Sequence, residues 1–203
     1  MNEWDFVDKI IYINLEERVD RKEKIENELK VIPSDKIIRF NAIKDEFGPF
    51  GCTKSHIECL EIAIKNNWKN VIILEDDAIF NNYLNGLQLL KKLMENEYDV
   101  ITLGTGLPYF DDITYKLKRG QTTTGYLVNN HYFKTLLNNF KDGLKLFQKT
   151  KEIPKYAIDM YWQLLQKKDN WYIVYPSLFI QTPGYSSICN GYRDYKKIFL
   201  KQL

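Results

Sequence analysis

The sequence predicts an α/β fold with a mixed, mostly parallel sheet and helices on both faces. Short apolar segments rich in β-branched residues alternate with helical patterns through the first half of the chain, which is typical of parallel sheets covered by helices. The chain has 203 residues, enough to bury a sizeable core without disulfides. It contains no internal repeat and no low-complexity segment, so we expect a single domain over residues 1–203.

The first elements follow from local patterns. Lys9–Asn14 is short, β-branched and aromatic, which indicates a buried strand, and Lys36–Asn41 indicates a second one. Between them, the charged stretch Glu16–Lys30 carries apolar residues near helical spacing and predicts a solvated amphipathic helix. Phe47–Gly51 is rich in glycine and proline and predicts a turn. Thr53–Trp68 then predicts a helix whose first residue is the N-cap.

The alternation continues to about residue 140. Asn70–Leu74 is fully apolar and predicts a central strand, and a helix is predicted over Tyr83–Met94. Tyr98–Leu103 predicts another strand, which we expect to end at the glycine-containing turn that follows it. Thr124–Val128 predicts a strand that leads into a further helix.

The last third of the chain is less regular. Ala157–Gln166 predicts a helix, and Trp171–Tyr175 and Leu178–Ile180 predict late strands separated by Pro176. Pro108–Gln121 predicts a weak internal seam.

Composition excludes several classes of protein. Hydrophobic residues make up 44% and charged residues 28%, which excludes wholesale disorder and fibrous structure. The formal net charge of +2 lacks the basic excess of a nucleic-acid-binding protein. No apolar run approaches the ~20 residues of a membrane span, and the acidic N-terminus is not that of a signal peptide. We therefore expect no integral membrane contact, and leave peripheral association open.

The cysteines indicate a reducing compartment. Cys52, Cys59 and Cys189 form neither a disulfide framework nor a C-x-x-C zinc motif. If Cys52 and Cys59 share a helix, seven residues separate them by about 10 Å, too far for a disulfide. We predict a cytoplasmic protein.

The most specific candidate site is the triplet Glu75-Asp76-Asp77, which directly follows the most apolar predicted strand. Ligands of open α/β sheets bind beyond the carboxyl ends of the strands. Three adjacent carboxylates repel one another, and a hard cation such as Mg²⁺ or Mn²⁺, together with phosphate oxygens, would compensate them. A solvated acidic loop is the alternative interpretation.

Two further segments carry groups that could bind an anion. The segment 51–56 (GCTKSH) predicts a loop entering a helix N-terminus, where backbone N–H groups and the helix dipole attract anions, and Ser55 and His56 add donors. Arg18 and Arg21 are three residues apart, share a helical face and follow the first predicted strand. The alternatives are a capping or surface role for His56 and weak surface ion pairs for the arginines.

Asp159 is the candidate general base. It lies between Ile158 and Met160, and partial burial there would raise the pKa of its carboxyl group. An exposed acid on a helix is the alternative. The chain contains no G-x-S-x-G elbow, no phosphate-binding G-x-x-x-x-G-K-[ST] loop and no H-E-x-x-H motif.

Together and in this order, these segments resemble glycosyltransferase family 25, which includes lipopolysaccharide-type and collagen-type galactosyltransferases. The resemblance covers nearly the whole chain, and the Gly-Cys-x-x-Ser-His and Glu-Asp-Asp segments are its specific part. The matching positions are Asn14, Leu15, Asp20 and Arg21 in IYINLEERVDR, Gly51, Cys52, Ser55 and His56, Glu75–Asp77, Gly125–Asn129, Pro154–Asp159 and, more loosely, Pro176, Leu178, Gln181 and Ser186–Ile188.

The resemblance implies a GT-A fold, a UDP-sugar donor (typically UDP-galactose), a divalent cation (Mn²⁺ or Mg²⁺) and inversion at the anomeric carbon. It implies that Glu75 and Asp77 hold the metal, that Asp76 lies beside the ribose or the metal, and that Asp159 deprotonates the acceptor hydroxyl. Because the triplet is E-D-D rather than D-x-D, which carboxylate contacts the metal stays open. No histidine follows His131 to supply the late metal ligand of many GT-A enzymes.

The resemblance also divides the chain functionally. Residues 1–107 would form the nucleotide-binding half and residues 108–203 the acceptor-side half, with a glycan or glycoconjugate as acceptor. The acceptor pocket would involve Pro108–Gln121 and Tyr185–Tyr195. The residues expected to line the nucleotide pocket are Asn14, Leu15, Arg18, Arg21, Ser55 and His56.

Two other classes of function remain open. A metal-dependent phosphoesterase also places acids at strand ends, but it requires D-x-D-x-[TV] with an aspartate nucleophile, and here Glu75 occupies the place of that aspartate, with Ala78 after the pair. A non-catalytic module that binds a nucleotide sugar or a carbohydrate would keep the same binding residues without transfer.

Overall fold

The computed structural model describes residues 2–186, 191–194 and 196–199. Within them the strands are β1 (Lys9–Asn14), β2 (Ile37–Asn41), β3 (Asn70–Glu75), β4 (Ala78–Phe80), β5 (Val100–Phe110), β6 (Leu117–Asn129), β7 (Trp171–Ile173), β8 (Phe179–Gln181), β9 (Gly184–Ser186) and β10 (Gly191–Arg193). The α-helices are α1 (Val19–Glu28), α2 (Gly48–Lys65), α3 (Tyr83–Leu93), α4 (Phe133–Thr150), α5 (Ile153–Tyr156), α6 (Ile158–Tyr161) and α7 (Gln163–Gln166).

A six-stranded sheet forms the centre of the described structure, in the order β2-β1-β3-β6-β5-β7. Strand β1 pairs in parallel with β2 and β3, and β5 pairs in parallel with β7, whereas β6 runs antiparallel to its neighbours β3 and β5. The predicted mixed, mostly parallel sheet is confirmed. Strand β5 runs across residue 107, so both halves of the chain contribute to one sheet.

Helices cover both faces of the sheet, as predicted. Successive side chains of a strand point to opposite faces. On one face Ile11 and Ile73 belong to a core built with α2 and α4. On the other face Ile10 and Ile72 belong to a core built with α1 and α3. Because both faces are buried, β1 and β3 have continuous apolar sequences rather than alternating ones.

The start of α2 corrects the predicted turn over Phe47–Gly51. The helix begins at Gly48, because proline is compatible with the first helical turn, where its missing N–H is not needed. Thr53 is therefore not the N-cap, and its hydroxyl donates to the Pro49 carbonyl at 2.9 Å inside the helix. Ser55 and His56 lie in the second and third turns, so the predicted anion site at the helix N-terminus does not contain them.

The hairpin of β5 and β6 corrects the predicted seam at Pro108–Gln121. The ladder contains several register shifts, which let β5 continue through Gly104 and Gly106 rather than end before them. A Cβ atom at Gly104 would lie 2.7 Å from the carbonyl oxygen of Phe179, so glycine is required there for close approach of the two backbones.

The predicted late strands over Trp171–Tyr175 and Leu178–Ile180 correspond to β7 and β8, but local patterns did not predict how the short strands pair. Strands β4 and β8 pair antiparallel, with Ala78 opposite Gln181, and β9 pairs with β10. The helix predicted over Ala157–Gln166 is divided at Trp162 into α6 and α7. Cys189 and part of the predicted acceptor segment Tyr185–Tyr195 lie outside the described residues.

Candidate active site

Two parallel strands bring the first site residues together. Strands β1 and β3 are adjacent and in register, with Ile13 opposite Glu75, so both end at the same edge of the sheet. Asn14 is the last residue of β1, and its amide donates to Asp76 Oδ2 at 2.8 Å. The Asn14 side-chain oxygen accepts hydrogen bonds from Arg39 at 3.0 and 3.1 Å, which fixes its orientation.

Arg21 is the cation that faces the acidic triplet. It lies in the first turns of α1, and its Nη1 atom is 2.8 Å from Asp76 Oδ1 and 3.0 Å from Asp77 Oδ2. All three side chains are at least four-fifths buried. One guanidinium therefore compensates part of the charge of two buried carboxylates, with the Glu75 carboxylate beside them.

Glu75 faces a different set of groups. Thr123 of β6 donates its hydroxyl to Glu75 Oε1 at 2.5 Å, and Gln181 of β8 donates to Glu75 Oε2 at 3.0 Å. Burial acts to raise the pKa of Glu75, but His56, Thr123 and Arg21 outweigh burial, so this pKa lies below its ordinary value. The Glu75 carboxylate is thus kept ionised.

The pKa of Asp77 is shifted in the opposite direction from that of Glu75. Burial first, and then the Glu75 and Asp76 charges, raise the pKa of Asp77 to about 7, although Arg21 and Gln181 act to lower it. The Gln181 amide lies 3.5 Å from Asp77 Oδ1, and the Thr182 backbone N–H donates to the Asp77 carbonyl at 2.9 Å.

The triplet fits a divalent cation. Its donors are carboxylate oxygens, which Mn²⁺ and Mg²⁺ prefer, and one Arg21 guanidinium is shared between the carboxyl groups of Asp76 and Asp77. The Gln181 amide contacts both Glu75 and Asp77. The sequence has no histidine after His131 that could serve as a late metal ligand at this position.

His56 and Cys52 lie behind Glu75. His56 is 1% exposed, its Nδ1 atom is 2.8 Å from the Tyr126 hydroxyl, and its Nε2 atom is 3.8 Å from Glu75 Oε1. Cys52 precedes it by one helical turn. Burial, followed by the charges of Glu75 and Asp159, raises the pKa of the Cys52 thiol well above its ordinary value.

Three other predicted residues are held by neighbours outside the acidic cluster. Ser55 is fully buried, donates to the Gly51 carbonyl at 2.8 Å and accepts the Ile43 N–H at 2.9 Å, so it joins α2 to the preceding loop. The Arg18 guanidinium binds Asp20 at 2.8 and 2.9 Å, while its backbone carbonyl accepts from Asn14. Leu15 is half-buried directly after β1.

Asp159 lies in the first turn of α6, close enough to Glu75 for the charge of that carboxylate to act on it. The Thr122 backbone N–H donates to Asp159 Oδ2 at 3.0 Å. Burial first, and then the Glu75 charge, raise the pKa of Asp159, while backbone N–H groups oppose the shift. Thr122 has φ 70°, a left-handed conformation that is unusual for a β-branched residue and that accompanies the hydrogen bond to Asp159.

Two polar residues of this cluster were not identified as site residues from the sequence. Thr123 belongs to an unremarkable threonine run, and its contact with Glu75 depends on the pairing of β6 with β3. Gln181 was only a loose match to the family pattern. That match was the one available signal, because its position depends on the pairing of β8 with β4.

Beyond this cluster, a groove of about 470 Å³ lies beside the β5–β6 hairpin and is lined by Tyr109, Lys118, Arg119 and Lys167. Among the helices that the structure describes, none combines the length and the apolar character that crossing a bilayer requires.

Comparison with protein families gives a match over residues 46–162, more than half of the chain, to glycosyltransferase family 25, described as a lipopolysaccharide biosynthesis protein family. This segment contains the acidic triplet, His56 and Asp159. No curated protein matches the sequence significantly.

Solved structures give a second comparison. The chain is similar to a glycosyltransferase involved in the glycosylation of the major capsid of PBCV-1, with 12% identity, a TM-score of 0.53, and coverage of 88% of this chain and 93% of that one. It also matches mannose-1-phosphate geranyltransferase from Thermus thermophilus, with 10% identity, a TM-score of 0.47, and coverage of 82% and 72%. At these identities the first likeness supports the fold alone.

Proposed function

The chain belongs to glycosyltransferase family 25, and from this premise we propose that it is a metal-dependent, inverting enzyme that transfers galactose from UDP-galactose to a hydroxyl group of a glycan or glycosylated acceptor. The observation that supports this proposal is that consecutive residues of β6 contact the proposed base and the triplet: the Thr122 N–H donates to Asp159, and the Thr123 hydroxyl donates to Glu75. Groups suited to leaving-group stabilisation and to proton abstraction thus share one site.

On the donor side, Glu75 and Asp77 would hold a divalent cation. When bound, the cation would neutralise the charge that develops on the leaving diphosphate. Arg21 fixes the Asp77 carboxylate at 3.0 Å and adds a permanent positive charge next to the diphosphate site. Asn14 and Arg21 together hold both oxygens of Asp76. In our proposal, these contacts would orient this carboxylate toward the metal or the ribose.

On the acceptor side, Asp159 would remove the proton from the attacking hydroxyl. The acceptor oxygen forms a bond to the anomeric carbon as the bond from that carbon to the diphosphate oxygen breaks. The proton goes to Asp159, UDP leaves with the bonding electron pair, and a single displacement inverts the centre. A raised pKa makes Asp159 a stronger base than an ordinary aspartate.

The groove lined by Tyr109, Lys118, Arg119 and Lys167 is our candidate for acceptor contacts. Lys118 and Arg119 lie on β6, three to four residues before Thr122, whose N–H holds Asp159. An acceptor in this groove would therefore lie along the strand whose Thr122 N–H binds the proposed base.

A panel of nucleotide sugars with and without Mn²⁺ tests the proposal. A donor that binds the folded state raises the melting temperature by mass action. We expect UDP-galactose to give the largest shift with Mn²⁺ present, and galactose transfer to a glycan acceptor to require both. Binding without hydrolysis or transfer would instead identify a non-catalytic module. Phosphate release from a generic phosphoester would identify a phosphoesterase.

A further inference from the structure

A thiol, an imidazole and a carboxyl group, three side chains that can each bind a metal, lie close together at Glu75, the first residue of the acidic triplet. Cys52 and His56 are four residues apart on α2 and therefore lie on the same helix face, and Glu75 closes the group from the end of β3. One ligand atom of each residue lies within 4.8 Å of those of the other two. The group thus joins a helix to the sheet, with His56 buried and Cys52 and Glu75 partly buried.

The imidazole of His56 has an unsatisfied atom that points into this group. Its Nδ1 side is occupied by the Tyr126 hydroxyl at 2.8 Å, while Nε2 has no hydrogen-bond partner within the part of the chain that the structure describes. A nitrogen in a side chain that is 1% exposed normally has a partner. The nearest carboxylate oxygen, Glu75 Oε1, is 3.8 Å away, too far for a hydrogen bond.

We propose that Cys52, His56 and Glu75 bind one transition-metal ion of the zinc class. A thiolate, an imidazole and a carboxylate form a donor set that zinc prefers and that differs from the all-oxygen donors preferred by Mn²⁺ and Mg²⁺. Tetrahedral geometry with zinc bond lengths of about 2.0–2.2 Å separates a nitrogen and an oxygen ligand by about 3.4 Å. The present 3.8 Å between His56 and Glu75 is a few tenths of an ångström wider.

The surroundings orient each ligand for such a site. The Tyr126 hydroxyl fixes the ring of His56 through Nδ1, and the Thr123 hydroxyl fixes Glu75 through Oε1. Outer hydrogen bonds of this kind are typical of metal-ligating imidazoles and carboxylates. Glu75 Oε2 faces Gln181 instead, so the proposed site lies on the side of Glu75 away from Asp77. Binding would displace the thiol proton of Cys52 to solvent.

Cobalt(II) is the probe for this proposal, because it replaces zinc and reports its ligands optically. We expect titration of the chelator-treated wild-type protein to give a sulfur-to-cobalt charge-transfer band at one equivalent, and Zn²⁺ to abolish it. Cys52→Ala should remove the band. Cys59→Ala should retain it, because Cys59 is buried elsewhere on α2 and lies outside the group.

The outcomes are decisive even if a variant folds poorly. A wild-type protein that binds cobalt without a sulfur band, or that binds none, overturns the proposal, as does a band that depends on Cys59. A second measurement is the melting temperature, which Zn²⁺ should raise less in Cys52→Ala than in the wild type and in Cys59→Ala, whereas equal shifts in all three proteins would contradict the site. Neither measurement uses a nucleotide sugar, so failure of this site and failure of the proposed transferase activity are distinguishable.

Discussion

The guanidinium of Arg21 lies 2.8 Å from the carboxylate of Asp76, although the two residues are 55 positions apart in the chain. The contact exists because β1 and β3 are parallel neighbours, so the helix that follows β1 starts beside the acids that follow β3. Arg21 also contacts Asp77 at 3.0 Å. Folding itself therefore supplies the first cation of the site.

Replacing Arg21 by methionine should strongly destabilise the protein. Removal of one partner from a buried ion pair typically costs about 3–5 kcal/mol, because it leaves a buried charge uncompensated. Arg18→Met is the matched control, since the Arg18 side chain is 21% exposed, much like that of Arg21, but its partner Asp20 is 56% exposed. An ion pair with a solvated partner contributes about 1 kcal/mol or less. Urea unfolding measures both, and equal losses would contradict the buried role of Arg21.

Asp77→Asn should abolish metal-dependent transfer without unfolding the protein. The substitution preserves shape but removes the charge of a proposed metal ligand, and several kcal/mol of transition-state stabilisation correspond to a loss of about 100-fold or more. The measurement is the rate of galactose transfer at saturating Mn²⁺. Asp142→Asn, at an exposed position on α4, is the control for loss of an aspartate. An unchanged rate in Asp77→Asn would remove Asp77 from the metal site.

The pH dependence of stability should report the same carboxyl group. The pKa of Asp77 is about 7 in the folded protein, compared with an ordinary value of 3.8. Between these values the folded state binds this proton more tightly than the unfolded state does, so the Asp77 contribution to the free energy of unfolding falls as pH rises from about 4 to 7 and is constant above. Asp77→Asn should lose this slope. Urea unfolding of chelator-treated proteins at several pH values measures it, and parallel profiles would contradict the raised pKa.

The sequence predicted the strands that are buried on both faces of the sheet. It did not predict the part of β5 in which another backbone segment packs directly against a glycine. Strands β1 and β3 have continuous apolar sequences because helices cover both of their faces. The end of β5 was placed too early because Gly104 resembles a strand breaker, whereas its missing Cβ admits the Phe179 carbonyl. Only the folded backbone distinguishes these two uses of glycine.

The sequence predicted those site residues that directly follow or end a predicted strand. Asn14 and the acidic triplet end neighbouring parallel strands, and the structure brings them together. Ser55 was misplaced because the start of α2 was predicted five residues too late, which moved a buried side chain into the first turn. Gln181 could not be placed, because no local pattern encodes the pairing of β8 with β4.

Asp159→Asn should separate catalysis from binding. An amide keeps the size of the side chain but cannot accept the acceptor proton, and loss of a general base typically costs about 10²–10⁴-fold in rate. The turnover number for transfer should fall by this amount, while the affinity for UDP, measured by calorimetry, should change little. Equal losses of turnover and of UDP affinity would make Asp159 a binding or structural residue.

Gly51→Ala tests how closely α2 must approach the loop before it. Alanine favours a helix over glycine by about 1 kcal/mol, so propensity alone predicts stabilisation. A Cβ atom at Gly51, however, would lie well inside van der Waals contact with the Ile43 carbonyl oxygen and 3.3 Å from the Asp45 backbone nitrogen. Because the clashing group is backbone, the strain should exceed the propensity gain, with a net loss of about 1–3 kcal/mol in urea unfolding. Gly184→Ala is the control, since a Cβ there meets nothing within 4 Å and should change stability by less than about 1 kcal/mol. A Gly51→Ala protein as stable as the wild type would mean that the loop carrying Ile43 relaxes freely, and that the packing of α2 against this loop does not constrain the position of His56.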